Sequence, residues 1–575
     1  MTLSASQQIS SAHVHAPVSP LDDVYEEGLN VARLVKHWAT IQGDTPALIQ
    51  SHGDNGPRTP KRMVSFADLN QRINHSCHAF HKAGLRPGDR IGLFVTDGIE
   101  FVTLVYAFQR LGAVPVLIDP GMGVKNLLAC VEEQSLKGFV GIPKAHILRT
   151  VFGKAFRSVT VPILVGGNFF PGTKTLDSLI NKVPTDLLEQ PYAEYCSEPS
   201  DPATIVYTSG STGIPKGVVY THRMMAGQVK GVEEVGGFRP QEIHMACFPG
   251  FALYALGIGM TTVFPVMNFT KPGKANPDHI LHALESHQVQ SAFASPALWE
   301  RFSRHIDAQN IELSNLRACF ASGAAVQPAL LRRLVPKLPK GDFFTPYGAT
   351  ESLPVAYMGG KEILEETAAR TAKGAGTCVG RIANGMRVKI IEVTDDAIAS
   401  MDEANVLSSG EIGEIAVAGS VVTEVYDQRP KHTALAKIRD DDGTIWHRMG
   451  DVGYLDEQGL LWFCGRKSHR VETAGGTLYS VPCEAIFETD QRVFRAALTW
   501  TGERPHQTPV MCIELHEGIT DHDNVLNALR QIGGQSALTK EIEHILIHPA
   551  FPVDRRHNAK IEREKLSQWV TERRS

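Results

Sequence analysis

The chain has 575 residues, more than a single hydrophobic core usually supports, so two or more domains are expected. Hydrophobic residues make up 43% of it and charged residues 21%, the proportions of an ordinary globular protein, which excludes extensive disorder away from the ends. The formal net charge of -5 gives no general field that would gather nucleic acid, so chemistry on a small molecule is the better expectation.

The nine cysteines lie between Cys77 and Cys512, are odd in number and include no CxxC pair. This pattern argues against a disulfide framework and a zinc site, and it fits a reducing cytoplasm. The first 20 residues are polar and lack the apolar core of a secretory signal. The longest apolar run, 253–266, is too short to span a bilayer and is predicted as core or pocket lining. We therefore expect a cytoplasmic protein without a transmembrane segment.

The first clear helix is predicted after Ser65, where SFAD has the form of a capping box, and Gly84 follows as a stop. Its apolar residues recur at helical spacing: Leu69, Ile73, Cys77 and Phe80. The next run, 90–95, predicts a buried strand. Helical stretches followed by short apolar strands return at 101–119 and 279–296. This alternation indicates a mostly parallel, helix-covered sheet.

After about Gly410 the pattern changes to strand-like segments separated by Gly and Asp turns. The residues that follow Arg466 contain their own strands and amphipathic helices, enough for a small α+β domain. We predict an N-terminal domain of residues 1–465, with a β-rich part at about 375–465, and a C-terminal domain of residues 466–575.

The segment YTSGSTGIPKG, 207–217, combines three glycines and several hydroxyl side chains with one lysine, Lys216. Such a loop lets backbone N–H groups approach an anion closely, and the lysine adds a point charge for phosphate. It is not a Walker loop, because GxxxxGK[ST] cannot be laid over it. Composition alone fits a polyphosphate loop and a mobile surface loop equally well.

The order of residues in this loop closely resembles the phosphate loop of the adenylate-forming superfamily, which includes acyl-CoA synthetases, luciferases and peptide-synthetase adenylation domains. The resemblance covers most of the chain. It implies an α/β fold, with a large N-terminal adenylate-forming domain of mostly parallel, helix-covered sheets plus a β-rich subdomain. A small, mobile α+β domain is expected to follow.

The resemblance also implies a nucleotide site. TPYGATE, 345–351, matches the segment whose aromatic ring, here Tyr347, stacks on adenine and whose acid, here Glu351, holds magnesium. Asp451 stands where the family grips the ribose hydroxyls, and Arg466 stands at the ribose next to the domain hinge. The other residues that the resemblance places at the nucleotide are Thr208, Ser209, Gly210, Ser211, Thr212, Gly213, Lys216, Gly323, Ala324, Ala325, Gly348, Ala349 and Thr350.

Catalytic roles are implied for Lys216, Glu351 and Lys560, the last at the position of the family's adenylation lysine. Attack of a carboxylate on the α-phosphorus brings two anions together, so Mg²⁺ and the two lysines must offset charge as pyrophosphate leaves. The carboxylate of Glu351 suits a hard cation such as Mg²⁺. ATP and Mg²⁺ are therefore the expected cofactors.

The substrate pocket is predicted from two segments. ASGAAV, 321–326, resembles the small-residue segment along the adenine and acyl pocket of the family. The aromatic and aliphatic residues in FALY, 251–254, suggest an apolar wall, although core packing accounts for them equally well. The predicted substrate residues are Phe251, Leu253, Tyr254, Ala321 and Ser322.

Several positions depart from the pattern of CoA ligases. Ala252 stands where many of them carry a histidine, on the strand expected there. At the hinge, Ser468 and His469 replace acids and Glu472 replaces a lysine, which argues against thioester formation unless the change is drift at an exposed loop. The segment 357–380 is longer than in most relatives. The terminal segment also departs from the pattern, with a cationic cluster of Arg555, Arg556, His557 and Lys560. This cluster is also compatible with a basic tail in solvent.

The terminal segment VDRRHNAKIERE and the long segment before GAGTCVG resemble the olefin-biosynthesis branch of the superfamily, the β-lactone synthetases. Members of that branch activate a long-chain 2-alkyl-3-hydroxy acid with ATP and release a β-lactone, AMP and pyrophosphate without CoA. The resemblance implies the same reaction here. It also suggests assembly with a reductase and a β-lactone decarboxylase.

Three other functions stay open. A long-chain acyl-CoA synthetase would keep every ATP-site residue and differ only in the acceptor. An acyl-AMP ligase would pass its adenylate to a carrier-protein thiol. A non-catalytic scaffold would be expected to lose members of the charged set, all of which are present: Lys216, Glu351, Asp451 and Lys560.

Overall fold

The computed structural model describes residues 30–51, 62–208, 215–553 and 561–574. The strands up to residue 344 are β1 (Pro46–Gln50), β2 (Arg62–Ser65), β3 (Arg90–Phe94), β4 (Val114–Leu117), β5 (Gly138–Gly141), β6 (Val161–Leu164), β7 (Lys174–Thr175), β8 (Pro202–Tyr207), β9 (Gly217–Thr221), β10 (Ile243–Ala246), β11 (Thr261–Phe264), β12 (Ser291–Phe293), β13 (Ala318–Phe320) and β14 (Asp342–Phe344). Those that follow are β15 (Tyr347–Ala349), β16 (Ser352–Tyr357), β17 (Thr377–Ile382), β18 (Met386–Ile391), β19 (Gly413–Gly419), β20 (Lys437–Arg439), β21 (Ile445–Leu455), β22 (Leu461–Arg466), β23 (Val471–Thr473), β24 (Gly476–Leu478), β25 (Val493–Thr501), β26 (Thr508–Leu515) and β27 (His544–Ile547).

The α-helices are α1 (Arg33–Ile41), α2 (Phe66–Ala83), α3 (Gly98–Leu111), α4 (Val124–Gln134), α5 (Pro143–Val151), α6 (Leu176–Ile180), α7 (Thr185–Leu188), α8 (His222–Gly236), α9 (Phe251–Ile258), α10 (Pro277–Ser286), α11 (Pro296–Ala308), α12 (Pro328–Leu334), α13 (Gly360–Glu362), α14 (Ala368–Ala372), α15 (Pro430–Ala436), α16 (Ser480–Phe487), α17 (His522–Gln535) and α18 (Arg563–Arg574). A π-helix, Ile363–Thr367, joins α13 to α14.

Two mostly parallel sheets form the first part of the fold. Their spatial orders are β14-β13-β12-β10-β11-β1-β2 and β7-β6-β5-β3-β4-β8-β9. Neighbouring strands are parallel except at one edge of each sheet. There, β2 pairs antiparallel with β1, and β9 pairs antiparallel with β8. The predicted mostly parallel, helix-covered sheets are therefore confirmed. In such folds, ligands bind at the carboxyl ends of the parallel strands.

The helix predicted after Ser65 shows how local sequence sets these elements. Ser65 Oγ accepts a hydrogen bond from Asp68 N at 3.1 Å, and the Asp68 carboxylate accepts one from Ser65 N at 3.5 Å, as in a capping box. The helix ends at Gly84, whose φ of 102° favours glycine. Phe80 stacks on Phe108 of α3 at 4.6 Å, so α2 and α3 share one core, which includes residues of both sheets.

An antiparallel sheet follows, in the order β15-β16-β17-β22-β21-β19-β18, with β20 paired to β21. Asp451 and Arg466 are directly opposite each other in its register. Tyr347 belongs to its edge strand. The sheet thus gathers three predicted nucleotide residues. It includes strands that precede residue 375, where the β-rich part was predicted to begin, and that boundary stays a prediction.

The residues after Arg466 form a small unit of both helices and strands. β23 and β24 make a hairpin, and β25, β26 and β27 form a separate sheet. Phe487, Leu498 and Leu529 belong to its own buried cluster. A large N-terminal part with a small α+β part behind it agrees with the predicted fold class, which is confirmed, whereas the exact domain limits and the mobility remain proposals.

Two further expectations can be compared with the structure. Residues 251–258 form the helix α9 rather than the expected strand. Six of its eight residues are buried, and Gly259, with a φ of 86°, ends the helix. All nine cysteines are free, and only Cys196 is exposed. Among the described residues, no helix has the length and apolar character needed to cross a membrane.

Candidate active site

One cleft, with a volume of about 2610 Å³, runs along the carboxyl ends of the parallel strands, past the antiparallel sheet and up to the C-terminal part. It collects every predicted site residue that the structure describes: Thr208, Lys216, Phe251, Leu253, Tyr254, Ala321, Ser322, Gly323, Ala324, Ala325, Tyr347, Gly348, Ala349, Thr350, Glu351, Asp451 and Arg466. The remaining predicted residues lie outside the described ranges: Ser209, Gly210, Ser211, Thr212, Gly213 and Lys560.

The base of the predicted phosphate loop lies between two paired strands. Thr208 follows β8 and Lys216 precedes β9, and Thr208 N donates a hydrogen bond to Lys216 O at 3.1 Å. The Lys216 ammonium lies 4.6 Å from the ring centroid of Tyr426, a cation–π contact. Burial lowers the pKa of Lys216, and the nearby Glu351 opposes that effect. The lysine is therefore a partly desolvated cation held close to an acid.

Glu351 is fixed by residues far away in the chain. Tyr426 Oη donates a hydrogen bond of 2.6 Å to Glu351 Oε1, and Thr423 N donates one of 2.9 Å to Glu351 O. Burial, followed by the charge of Glu351, raises the pKa of Tyr426, so the phenol remains a donor. Sequence reasoning missed Tyr426, because its partner is 75 positions away and no local motif marks it.

The possible metal ligands around Glu351 fit Mg²⁺ better than a metal ion whose ligands all come from the protein. Within the described ranges, no three His, Cys, Asp or Glu side chains come together as a metal site. Mg²⁺ is commonly held by one or two carboxylates together with substrate phosphates and water. A single, well-positioned carboxylate near Lys216 matches that pattern.

A layer of buried bases lies behind this acid and was not predicted. Lys437 Nζ donates hydrogen bonds to Thr423 O and, at 3.0 Å, to Thr423 Oγ1. Burial lowers the pKa of Lys437 to about 7, with Glu351 opposing. His447 lies against Ala436 O at 3.2 Å, and burial lowers its pKa well below the ordinary value, so its ring is neutral at neutral pH. In the sequence, this layer is marked only by a lysine and a histidine, Lys437 and His447, within segments that form strands.

Tyr347, Asp451 and Arg466 form a second polar group in the cleft. Tyr347 Oη donates a hydrogen bond of 2.7 Å to Asp451 Oδ2, and Arg466 Nη1 lies 2.8 Å from Asp451 Oδ1. Burial raises the pKa of Asp451, and Arg466 and Tyr347 oppose it. Each carboxylate oxygen of Asp451 therefore has a polar neighbour among the described residues, Tyr347 at Oδ2 and Arg466 at Oδ1.

Glycines allow the small-residue loops to line the cleft closely. Gly323 has a φ of 90°, a conformation that side-chain-bearing residues rarely adopt. At Gly348, a Cβ atom would lie 2.5 Å from Ser352 O, so a larger residue would displace the backbone. Both positions of the predicted nucleotide wall therefore favour glycine.

The predicted substrate residues serve both the cleft and the core. Phe251 stacks on Phe293 with ring centroids 3.5 Å apart. Tyr254 Oη donates to Gln228 Oε1 at 3.2 Å, and Leu253 O accepts a hydrogen bond from a tyrosine of α3 at 2.8 Å. The wall formed by α9 is therefore apolar and well anchored.

The long segment at 357–380 forms another wall. Its π-helix and α14 contribute residues at successive turns to the cleft: Ile363, Thr367, Ala368 and Thr371. Arg370, on the other side, lies 4.2 Å from the Trp462 ring and 3.2 Å from the Asp456 carboxylate. A π-helix is rare and often occurs at functional sites. The sequence marked this segment by its length, without indicating that it lines the cleft.

The three hinge departures have different surroundings. Ser468 and His469 line the cleft. Glu472 lies in the β23–β24 hairpin, where it accepts a hydrogen bond of 2.7 Å from Arg470 Nε. The negative charge of Glu472 is thus paired with the neighbouring Arg470, whereas Ser468 and His469 change the chemistry of the cleft lining.

The fold and the cleft are those of an adenylate-forming enzyme. A family model described as AMP-binding enzyme matches residues 35–427, and the chain belongs to this family. The amide bond synthetase McbA from Marinactinospora thermotolerans has the same fold, with a TM-score of 0.76 at 20% identity, over 94% of this chain and 99% of that one.

Among curated relatives, the chain is 40% identical over 529 residues to an olefin beta-lactone synthetase of Stenotrophomonas maltophilia (strain K279a), covering 90% of this chain and 93% of that protein. The olefin beta-lactone synthetase of Xanthomonas campestris pv. campestris is likewise 40% identical over 529 residues, covering 91% of this chain and 93% of that protein. The family resemblance deduced from the motifs is confirmed.

Proposed function

We propose that this enzyme activates a long-chain 2-alkyl-3-hydroxy acid with ATP and converts the acyl adenylate to a β-lactone, with release of AMP and pyrophosphate. The observation that carries the proposal is a single cleft in which the charged group around Glu351 and Asp451 adjoins the apolar wall of α9. The similarity to two olefin beta-lactone synthetases over most of the chain supports the same reaction.

In the first step, a carboxylate oxygen of the substrate attacks the α-phosphorus of ATP, and the bond to pyrophosphate breaks. We assign adenine stacking to the Tyr347 ring and ribose contacts to Asp451 and Arg466. Lys216 and Lys560 offset the charge that develops on the phosphates. Mg²⁺, which Glu351 and the substrate phosphates would hold, supplies further charge neutralisation when bound.

In the second step, the 3-hydroxyl oxygen attacks the acyl carbonyl of the same molecule. The ring C–O bond forms, the bond to AMP breaks, and the hydroxyl proton passes to the departing phosphate or to solvent. No enzyme nucleophile is required. The apolar walls orient the two alkyl arms, and alignment of this kind contributes on the order of 7 to 11 kcal/mol in intramolecular reactions.

The test is to incubate purified protein with MgATP and a synthetic 2-alkyl-3-hydroxy acid, with and without CoA, and to identify the lipid by mass and infrared spectroscopy. We expect a CoA-independent product equal to the acid less water, with a strained-ring carbonyl band. A product that appears only with CoA would establish an acyl-CoA synthetase. Enzyme-bound adenylate that stalls in both reactions would instead indicate an acyl-AMP ligase, and no ATP turnover would indicate a scaffold.

Lys560 is proposed to act in adenylation. Lys560→Ala should lower substrate-dependent pyrophosphate release about a hundredfold or more, because one cation that offsets transition-state charge is lost. Lys565→Ala is the matched control, since Lys565 is exposed and, among the described residues, forms its ion pair with Glu562, at 2.6 Å. Unchanged pyrophosphate release in Lys560→Ala would refute the assignment.

Pathway assembly and location complete the proposal. We propose a cytoplasmic enzyme that associates with a reductase, which makes the hydroxy acid, and with a decarboxylase, which consumes the β-lactone. Both partners are suggested by the resemblance to the olefin-biosynthesis branch. Sedimentation of the three purified proteins, alone and mixed, measures the association directly, and additive profiles would contradict it.

A further inference from the structure

An exposed apolar surface lies around helix α5. Val151 is 67% exposed, Ile147 54% and Phe152 40%. Ile147 and Val151 are four residues apart and therefore share one face of α5. The next loop adds Phe169, 78% exposed, whose neighbour Phe170 packs on His146 of α5. We call Ile147, Val151, Phe152 and Phe169 the α5 patch.

The chain segment that carries this patch is positively charged. Residues 135–176 contain no Asp or Glu, in a chain that has 62 acidic residues and a formal charge of -5. The same stretch carries six cations: Lys137, Lys144, Arg149, Lys154, Arg157 and Lys174. Lys144, Lys154 and Arg157 are exposed, and in the described part of the chain none of these three pairs with a carboxylate. The charge of this region is thus opposite in sign to that of the whole protein.

The α5 patch adjoins one end of the catalytic cleft. Ile142, Ala145 and Leu148 line the cleft, and Ile147 and Val151 stand on the same helix but face solvent. Val124, at the start of α4, both lines the cleft and is 50% exposed. One short helix therefore separates the interior of the cleft from the exposed apolar surface.

We propose that the α5 patch docks this enzyme on an anionic lipid surface. Exposed apolar side chains on a helix flanked by Lys and Arg are the pattern of interfacial binding, in which the apolar face enters the headgroup region and the cations meet anionic lipids. A protein partner matching the patch would need a complementary acidic, apolar face, whereas a bilayer provides both features over any area. The inference does not depend on the identity of the acyl acceptor, and it goes beyond the proposed reaction.

Vesicle sedimentation tests the proposal on the full chain. We expect the protein to sediment with phosphatidylglycerol/phosphatidylcholine vesicles and to bind poorly to pure phosphatidylcholine, with release at about 0.5 M NaCl because salt screens the attraction. Ile147→Glu/Val151→Glu should reduce partitioning about tenfold or more. Ile41→Glu, at a position 59% exposed at the end of α1, should bind as the unchanged protein does.

Three outcomes would overturn the proposal. The unchanged protein could fail to sediment with anionic vesicles. The double variant could bind as well as the unchanged protein. The double variant could have a lower molecular mass than the unchanged protein when both are sedimented without lipid, which would identify the patch as an interface between protein copies. Pyrophosphate release with a short, soluble acid verifies that the variant is folded, and vesicle binding needs neither ATP nor acid, so this test and the test of the reaction fail independently.

Discussion

The phenol of Tyr426 orients the carboxylate of Glu351. Tyr426 Oη donates to its carboxylate at 2.6 Å and the Tyr426 ring also contacts the Lys216 ammonium, so the same side chain orders the acid and the cation of the proposed phosphate site. Hydrogen bonds to charged groups are stronger than those between neutral groups. Removing this single hydroxyl should therefore affect the metal-dependent step without changing the shape of the cleft.

We expect Tyr426→Phe to lower kcat/KM for adenylation about ten- to a hundredfold, since a hydrogen bond to a charged group contributes about 1.5–3 kcal/mol. The concentration of Mg²⁺ needed for half-maximal rate should rise as well. Pyrophosphate release measured across a magnesium titration gives both values. Tyr454→Phe is the control, because Tyr454 Oη donates to Ala375 O away from the acid. Equal behaviour of the two variants would contradict the assignment.

Lys437 makes stability depend on pH. Its pKa falls from the ordinary 10.5 to about 7 on folding, chiefly by burial. Between those two pH values the unfolded chain binds a proton that the folded protein lacks. The free energy of unfolding therefore rises with pH across this window and decreases as the pH falls toward 7. The slope from this group is at most about 1.4 kcal/mol per pH unit.

Lys437→Met should remove that slope. Urea-unfolding midpoints at about pH 7, 8 and 9 are expected to rise for the unchanged protein relative to the variant. Lys340→Met, at an exposed lysine, should keep the slope of the unchanged protein. Parallel midpoints for the unchanged protein and Lys437→Met would show that the buried lysine keeps its ordinary pKa.

At the scale of elements, the segment that forms the π-helix and α14 combines two roles. Ala368 faces the cleft and is nearly inaccessible to solvent, whereas Arg370 contacts Trp462 in the antiparallel sheet. The segment is therefore a rigid wall, and the size of its inward-facing side chains should limit the substrate.

Ala368→Phe should lower kcat/KM for a long-chain 2-alkyl-3-hydroxy acid about tenfold or more while sparing a short-chain acid, because added bulk in a packed wall costs about 1–3 kcal/mol. Ala372→Phe is the control, since Ala372 belongs to the same helix and is exposed. Rates over a series of alkyl lengths provide the measurement. Equal losses for short and long acids would instead indicate general damage to the fold.

Elements were predictable where the signal is local. The capping box at Ser65, the stop at Gly84 and the apolar spacing between them gave α2 within a residue of its observed limits. The motif segments also led to a cleft that holds all their described residues. The contact of Tyr426 with Glu351 and the burial of Lys437 depend on tertiary packing of side chains, which no local pattern encodes.

At the scale of the whole molecule, the long segment also contacts the C-terminal part. Gly374 has a φ of 87°, and a Cβ atom there would lie 2.5 Å from Leu538 Cδ1 and 3.1 Å from Pro482 O. Lys467 Nζ, just after the proposed domain limit, lies 3.2 Å from Glu414 Oε2 of the antiparallel sheet. The two parts of the protein therefore meet at both an apolar contact and an ion pair.

Gly374→Ala should lower the thermal midpoint more than Gly385→Ala. Both glycines have positive φ, but a Cβ atom at Gly385 would meet nothing within 4 Å. Gly385→Ala therefore carries the strain of a left-handed backbone, about 1–2 kcal/mol, without the steric clash. The difference between the two midpoints, measured by calorimetry, isolates the contact with the C-terminal part. Equal midpoints would mean that this contact contributes nothing to stability.

The cysteines carry a practical consequence. Burial raises the pKa of eight of the nine thiols, for example to about 12 at Cys77 and Cys512 and to about 11 at Cys378. Such thiols are shielded and almost wholly protonated, so they react slowly with electrophiles. Cys196 alone is exposed. The native protein thus offers one attachment point for a maleimide dye or a spin label, and its movements can be followed spectroscopically without first removing any cysteine.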